Sequence, residues 1–227
     1  MALERHLVLF TRYPSYGTGK RRLAAGVGAA VALRFQRISL ANTVRRLALE
    51  RRWRMWIAVT PDRSGPWPRQ VEVIAQGSGD LGQRLGRVMQ TLPAGPTLVI
   101  GSDIPGITSS LIAEAFRALE GHDAVIGPSN DGGYWAIGLR RAPRRIYPFD
   151  DVRWSTRHAL RDTIANLRGH SVARLAQLND IDDVASMTGH PRWNLLVDQS
   201  RHGAFERAGV VPPWPCARVL STLKCLE

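Results

Sequence analysis

Residues 97–106 read Thr97-Leu98-Val99-Ile100-Gly101-Ser102-Asp103-Ile104-Pro105-Gly106, and the fold turns on how this stretch is read. Thr97–Ile100 is a short apolar run, bounded by Gly and Pro, and has the length and composition of a buried strand rather than a helix. Asp103 follows it almost at once, so a carboxylate leaves the sheet where that strand ends. A hard oxygen ligand in that position suits Mg²⁺ or Mn²⁺, which in turn bridges phosphate oxygens. The competing reading makes Asp103 the cap of the next helix, although Thr108 and Ser109 lie nearer to its start.

The same alternation extends in both directions. Residues 6–11, 55–59, 71–74, 123–127, 134–139 and 172–175 read as further strands. Helical spacing recurs over about Lys20–Arg52, Leu81–Leu92, Ser109–Leu119 and Thr156–Leu167. Strands alternating with helices predict an α/β fold with a mostly parallel sheet and helices on both faces. Ligands of such sheets bind at the carboxyl ends of strands, where strand order reverses. Residues 1–188 are expected to form this domain. The Pro- and Trp-bearing stretch 189–227 is read as an extension that wraps the domain or supports a homodimer contact.

Composition narrows the classes. The chain has 227 residues, 44% of them apolar, enough for a sizeable core without a disulfide framework. Its two cysteines, Cys216 and Cys225, have no partners at zinc spacing. The formal charge of +12 attracts phosphate-bearing partners, but there is no basic tail, zinc-finger spacing or RNA-binding signature, so no specific nucleic-acid role is expected. With no signal peptide and no apolar run long enough for a bilayer, the cytoplasm is the expected compartment. His6, His122, His158, His170, His190 and His202 are scattered and read as structural.

Three other loops carry polar groups. Arg12–Leu23 joins a strand to a helix; Gly17 and Gly19 permit close approach, and Arg12, Lys20 and Arg22 supply charge for a phosphate. It is not a Walker A loop, because Pro14 stands where the first Gly belongs and Arg21 where the metal-binding hydroxyl belongs. Gln76–Arg84 is a Gly-rich start to a helix, with Asp80 placed as N-cap. Gly127–Trp135 holds Asp131-Gly132-Gly133, which is either a plain turn between strands or the edge of an acceptor pocket.

Taken in order, these segments carry a family resemblance: F-x-R-x-P-x-x-G-x-x-K-x-R-L at Phe10–Leu23, Q-x-x-G-D-L-G-x-R at Gln76–Arg84, G-S-D-x-P-G at Gly101–Gly106, G-P-x-x-D-G-G-Y at Gly127–Tyr134 and W-S-T at Trp154–Thr156. Over roughly residues 6–187 the chain resembles the bacterial selenodomain-associated transferases, often labelled arsenosugar-type glycosyltransferases, and is similar to deazaflavin-cofactor guanylyltransferases and molybdenum-cofactor nucleotidyltransferases. The resemblance implies a glycosyltransferase A-like three-layer sandwich. It also implies a nucleotide or nucleotide-sugar donor on Arg12, Gly17, Lys20, Arg22, Asp80 and Arg84. Asp103 would be a metal ligand, with Asp182 of Asn179-Asp180-Ile181-Asp182 as a second, and the metal Mg²⁺ or Mn²⁺. Asp131, Gly132, Gly133, Tyr134 and Trp154 would line the pocket of a small-molecule acceptor. Two segments depart from the pattern: Arg21 replaces the Thr of K-T-R-L, and the late D-I-D-T segment reads D-I-D-D at Asp180–Asp183, with Ser186 in place of its usual downstream Asp.

Two reactions fit these expectations, with Asp131 the best-placed general base. Glycosyl transfer from a nucleoside-diphosphate sugar is the first reading. Nucleotidyl transfer from a triphosphate, with release of pyrophosphate, is the alternative. A basic protein that only binds polyanions is a third.

Overall fold

The computed structural model describes residues 3–62, 64–142 and 146–190. The expected extension at 189–227, with both cysteines and His202, lies almost wholly outside them. The described residues cluster into two compact units, one made of 3–13 and 45–180, the other of 14–44 and 181–190.

The larger unit holds all seven strands: β1 (His6–Arg12), β2 (Arg54–Thr60), β3 (Glu72–Ala75), β4 (Thr97–Gly101), β5 (Ala124–Pro128), β6 (Tyr134–Leu139) and β7 (Val172–Arg174). They form one sheet in the order β3-β2-β1-β4-β6-β5-β7. The pairs β1·β2, β1·β4, β2·β3 and β5·β7 are parallel, whereas β6 runs antiparallel to both neighbours. The mostly parallel α/β architecture expected from the sequence is therefore present. Strand order reverses at β1: the chain moves outward through β2 and β3, then returns to place β4 on the other side of β1.

Strand ends fall within about two residues of the expected runs; β1, β2, β4, β5 and β6 are buried on both faces, whereas the edge strands β3 and β7 are largely exposed or half-buried. Toward one face, Val8, Trp56, Val99 and Ile137 pack with Leu85, Val88, Met89 and Leu92 from α3 (Leu81–Thr91) and its C-terminal end. On the other face Gly138 lies close to Leu98, Val125 and Leu119, the last from α4 (Ser109–Gly121). At Gly127 an added Cβ would stand 2.4 Å from the ring of Trp135, itself 1% exposed and held by a 3.0 Å bond from its indole N–H to the Ala176 carbonyl.

The long helical run expected over Lys20–Arg52 is two helices, α1 (Arg21–Val27) and α2 (Ala29–Ala48). Gly28, at φ 86° and ψ 153°, ends the first, a conformation that side-chain-bearing residues rarely adopt. The last expected helix shortens to α5 (Ala159–Asn166), and α6 (Val184–Thr188), too short to show periodicity in sequence, follows β7. In the smaller unit Leu23, Val27, Val31, Phe35, Ile181 and Met187 make a separate core.

Two consequences are measurable. Gly127→Ala over-packs the Trp135 ring and is expected to lower stability by about 1–3 kcal/mol in urea denaturation; an unchanged midpoint would contradict this packing. His6 is fully buried, and its Nδ1 accepts the Trp56 indole N–H at 3.3 Å. Burial pushes the His6 pKa below its ordinary value, partly opposed by Glu4. The neutral ring therefore stabilises the fold fully above the unfolded value of about 6.5. That contribution is lost as pH falls from there through the lowered folded value. His6→Gln is expected to flatten the stability–pH curve between about pH 7 and 5, read from urea midpoints.

Candidate active site

The carboxyl ends of β2, β1 and β4 lie side by side, because β1 is parallel to both neighbours. The crevice between β1 and β4, where strand order reverses, is where this kind of sheet binds ligands. Thr11 stands at its floor, 3% exposed, and its hydroxyl donates to Ser102 Oγ at 2.9 Å. The loop carrying Asp103 is thereby tied to β1. Ile104 and Ile107 anchor it from below, at 4% and 1% exposure, and Arg46 donates to the Ile107 carbonyl. Thr108 caps α4, its hydroxyl accepting from Leu111 N–H at 3.2 Å. The capping role that competed for Asp103 belongs to Thr108, and the half-buried Asp103 carboxylate stands at the strand end.

Beside it, Asp80 caps α3 in a reciprocal box with Gln83: its carboxylate accepts Gln83 N–H at 2.8 Å, and the Gln83 side chain accepts Asp80 N–H at 3.1 Å. Asp80 is thus committed to starting the helix that carries Arg84. The Arg84 guanidinium lies 5.7 Å from the centroid of the Phe10 ring. It donates to the Asp80 carbonyl at 3.4 Å and to Gln76 Oε1 at 3.0 Å. Its pKa is lowered, first by burial and then by the neighbouring Arg12 charge.

Gln76, one residue past β3 and 1% exposed, is the organising side chain that sequence reasoning missed. Its amide nitrogen donates to the Thr11 carbonyl at 2.9 Å and the Ala58 carbonyl at 2.8 Å. With both donors on main-chain acceptors, the amide has one orientation and presents Oε1 to Arg84. A glutamine directly after a strand and eight residues before an arginine was the available signal.

The loop after β5 is organised by its own aspartate. Asp131 Oδ1 accepts from Ser129 Oγ at 2.5 Å and from Gly133 N–H at 2.9 Å, so Oδ2 is the oxygen left for chemistry. Gly132 has φ 85°, and an added Cβ would lie 2.4 Å from the Arg157 backbone. Tyr134 and Trp154 meet edge to face, with centroids 6.4 Å apart, and Trp154 also abuts Gly82 at the start of α3. The Tyr134 hydroxyl is buried without a well-formed hydrogen bond, close to Thr163, and burial raises its pKa. Its ring, rather than its hydroxyl, is what Tyr134 leaves partly exposed. Arg153 holds the Trp154 segment to α5 through two bonds to Asp162, of 2.8 and 2.7 Å, and keeps that carboxyl well below the usual range.

The smaller unit brings three more of the expected residues together. Lys20 Nζ lies 3.4 Å from one oxygen of Asp182, and Arg22 Nη1 lies 3.3 Å from the other. The Lys20 side chain is 9% exposed and that of Arg22 80%. Gly17, Gly19 and Lys20 all have positive φ, so the turn before α1 is left-handed at three of four residues, a conformation glycine tolerates and lysine does not favour. Ser186, at the departure noted above, closes a capping box with Asp183 at the start of α6. Asp182 is therefore an ion-pair partner of two cations as well as a candidate metal ligand.

Among the described residues no three His, Cys, Asp or Glu side chains cluster to hold a metal. A divalent ion at Asp103 would have to take most of its ligands from phosphate oxygens and water, the usual coordination of Mg²⁺ bound with a nucleotide. A lone carboxylate fits that mode. No described helix is long and apolar enough to cross a membrane.

No curated protein matches the chain. Among solved structures, one from Desulfovibrio desulfuricans G20, provisionally assigned as a nucleotide-diphospho-sugar transferase, is 26% identical over 100% of this chain and 97% of its own, with TM-score 0.74. The protein Rv0371C of Mycobacterium tuberculosis H37Rv, solved in complex with manganese, is 13% identical over 87% of this chain and 100% of its own, with TM-score 0.50. The 4-diphosphocytidyl-2C-methyl-D-erythritol synthase of Anaerococcus prevotii DSM 20548 is 10% identical over 88% and 96%, also with TM-score 0.50. These likenesses place the chain on the fold of nucleotide-diphospho-sugar transferases. The family described as "uncharacterized protein conserved in bacteria" (DUF2064) matches residues 40–156, just over half of the chain, and the protein belongs to it.

Proposed function

We propose that this protein is a metal-dependent transferase that takes a nucleotide-activated donor and moves a glycosyl group to a small-molecule acceptor. The observation that carries the reading is the position of Asp103, a half-buried carboxylate at the β1/β4 reversal point that is not used as a helix cap. Likeness to the Desulfovibrio protein favours a sugar nucleotide as donor, as does the resemblance to selenodomain-associated transferases.

In this reading Asp103 ligates Mg²⁺ or Mn²⁺, and the ion neutralises charge developing on the leaving diphosphate. Lys20 and Arg22 bind phosphate in the smaller unit, where Asp182 is their ion-pair partner in the absence of ligand. Tyr134 and Trp154 offer aromatic surface to the acceptor, and Asp131 Oδ2 is placed to accept its proton. Catalysis is then chiefly positioning and electrostatic stabilisation.

Nucleotidyl transfer from a triphosphate is the second reading. Arg12, Arg84 and Arg87 form no ion pair among the described residues, a surplus of positive charge that suits a longer phosphate chain.

The test is a thermal-shift screen of nucleoside triphosphates and nucleotide sugars with and without Mn²⁺, since a ligand bound to the native state raises Tm. A sugar nucleotide giving the larger Mn²⁺-dependent shift supports glycosyl transfer, and a triphosphate doing so supports nucleotidyl transfer. Asp103→Asn is expected to leave the unliganded Tm nearly unchanged and to remove the Mn²⁺-dependent part of the shift. Retention of that part would take Asp103 out of the metal site.

A further inference from the structure

The Arg84 guanidinium is half-buried, yet it meets no carboxylate within ion-pair distance among the described residues. Its two hydrogen bonds go to neutral oxygens, Gln76 Oε1 and the Asp80 carbonyl. The charges acting on it are mainly of its own sign: Arg12 and Arg87 oppose it, and only Asp80 favours it. The Asp80 carboxylate is already accepting from the first turn of α3. Arg87 is spent on the Gln76 and Ser78 carbonyls, at 2.7 and 2.8 Å, whereas Arg12 is exposed.

A partly desolvated cation beside another cation is costly unless an anion completes it. An arginine left so by chance would swing into solvent, because its stem is flexible. Arg84 is instead held by Gln76, whose own orientation is locked by the Thr11 and Ala58 carbonyls. A guanidinium aimed by a buried amide is a preorganised fork for a tetrahedral oxyanion.

We propose that Gln76 is a positioning residue: it aims the Arg84 guanidinium, one of the groups the family resemblance gives to the donor, so that with Arg12 it receives a phosphoryl group of the ligand at the carboxyl edge of the larger unit. The proposal rests on the transferase reading only for where the phosphoryl group comes from. A phosphate monoester on the acceptor and the diphosphate of the donor share this chemistry, and probe size separates them.

The experiment is calorimetric titration of the full chain with inorganic phosphate and with inorganic pyrophosphate, with metal removed by chelator. Neither probe needs Asp103 or a nucleotide, so failure of the metal site leaves this result standing. Binding of both probes assigns a single phosphoryl group, and binding of pyrophosphate alone assigns the diphosphate. Arg84→Gln is expected to weaken the bound probe by about tenfold or more, the scale of one charged hydrogen bond. Arg84→Lys is expected to fall short of wild type, because an ammonium cannot span Gln76 and the anion as a fork does. Arg117→Gln, an exposed arginine on α4, should leave binding unchanged.

Gln76→Met should weaken binding in the wild-type background and add nothing in the Arg84→Gln background. A merely structural glutamine would cost the same in both. Should Gln76→Met fail to fold, as circular dichroism would show, the Arg84 and Arg117 variants still decide the site. Wild-type affinity in Arg84→Gln, no binding of either probe to wild type, or equal loss in Arg117→Gln would overturn the proposal.

Discussion

The Gln76 amide is the interaction on which the carboxyl edge of the sheet depends. Parallel pairing brings β2, β1 and β4 to a common edge, where main-chain carbonyls near the strand ends need donors from the loops that follow. Gln76 supplies two donors to this edge, at Ala58 on β2 and Thr11 on β1. The Thr11 hydroxyl then reaches Ser102, beside Asp103. One chain of hydrogen bonds thus runs from Arg84 through Gln76 and Thr11 to the loop of the candidate metal ligand. Removing the Gln76 amide would take a donor from each of the two main-chain carbonyls, a cost of about 1–3 kcal/mol for each group left unsatisfied.

The fold was largely legible because buried parallel strands announce themselves as unbroken apolar runs. Thr97–Ile100 and Leu7–Phe10 could hardly be read otherwise. What periodicity missed was local. Gly28 breaks a helix inside a run whose spacing continues across it, and α6 is only five residues long. The antiparallel placement of β6 between β4 and β5 is a tertiary choice that no pattern within Tyr134–Leu139 specifies.

The candidate site was legible as a set of loops, less so as a set of roles. Asp80 reads correctly as a cap, and the structure gives it a full capping box. Asp103 gains from the discovery that Thr108 does the capping. Tyr134 reads as a polar aromatic facing an acceptor, yet its hydroxyl is buried near Thr163, because a strand residue's direction depends on register with its neighbours. Gln76 stood in a motif, but its role could not be read there for the same reason. Its importance lies in two carbonyls 65 and 18 residues away in sequence.

Net charge marked the protein as basic without saying where the charge matters, and its compensation does. At the amino ends of the strands, Arg5, Arg52 and Arg54 lie over Phe116, Trp53 and Trp56. Each also pairs with a glutamate: Glu120, Glu50, and Glu72 together with Glu4. These arginines are neutralised and packed, which is how surface charge supports a fold without attracting a ligand. At the carboxyl ends of the same strands, Arg12, Arg84 and Arg87 have no glutamate or aspartate paired with them among the described residues. Arginines occur at both ends, Arg141 at Thr97 among them, so abundance of positive charge cannot distinguish them. What differs is that Arg5, Arg52 and Arg54 each have a glutamate within ion-pair distance, whereas Arg12, Arg84 and Arg87 have no such partner among the described residues. The uncompensated end is also the end where strand order reverses and Asp103 emerges. Topology and charge compensation are independent properties of the chain, and they select the same edge of the sheet.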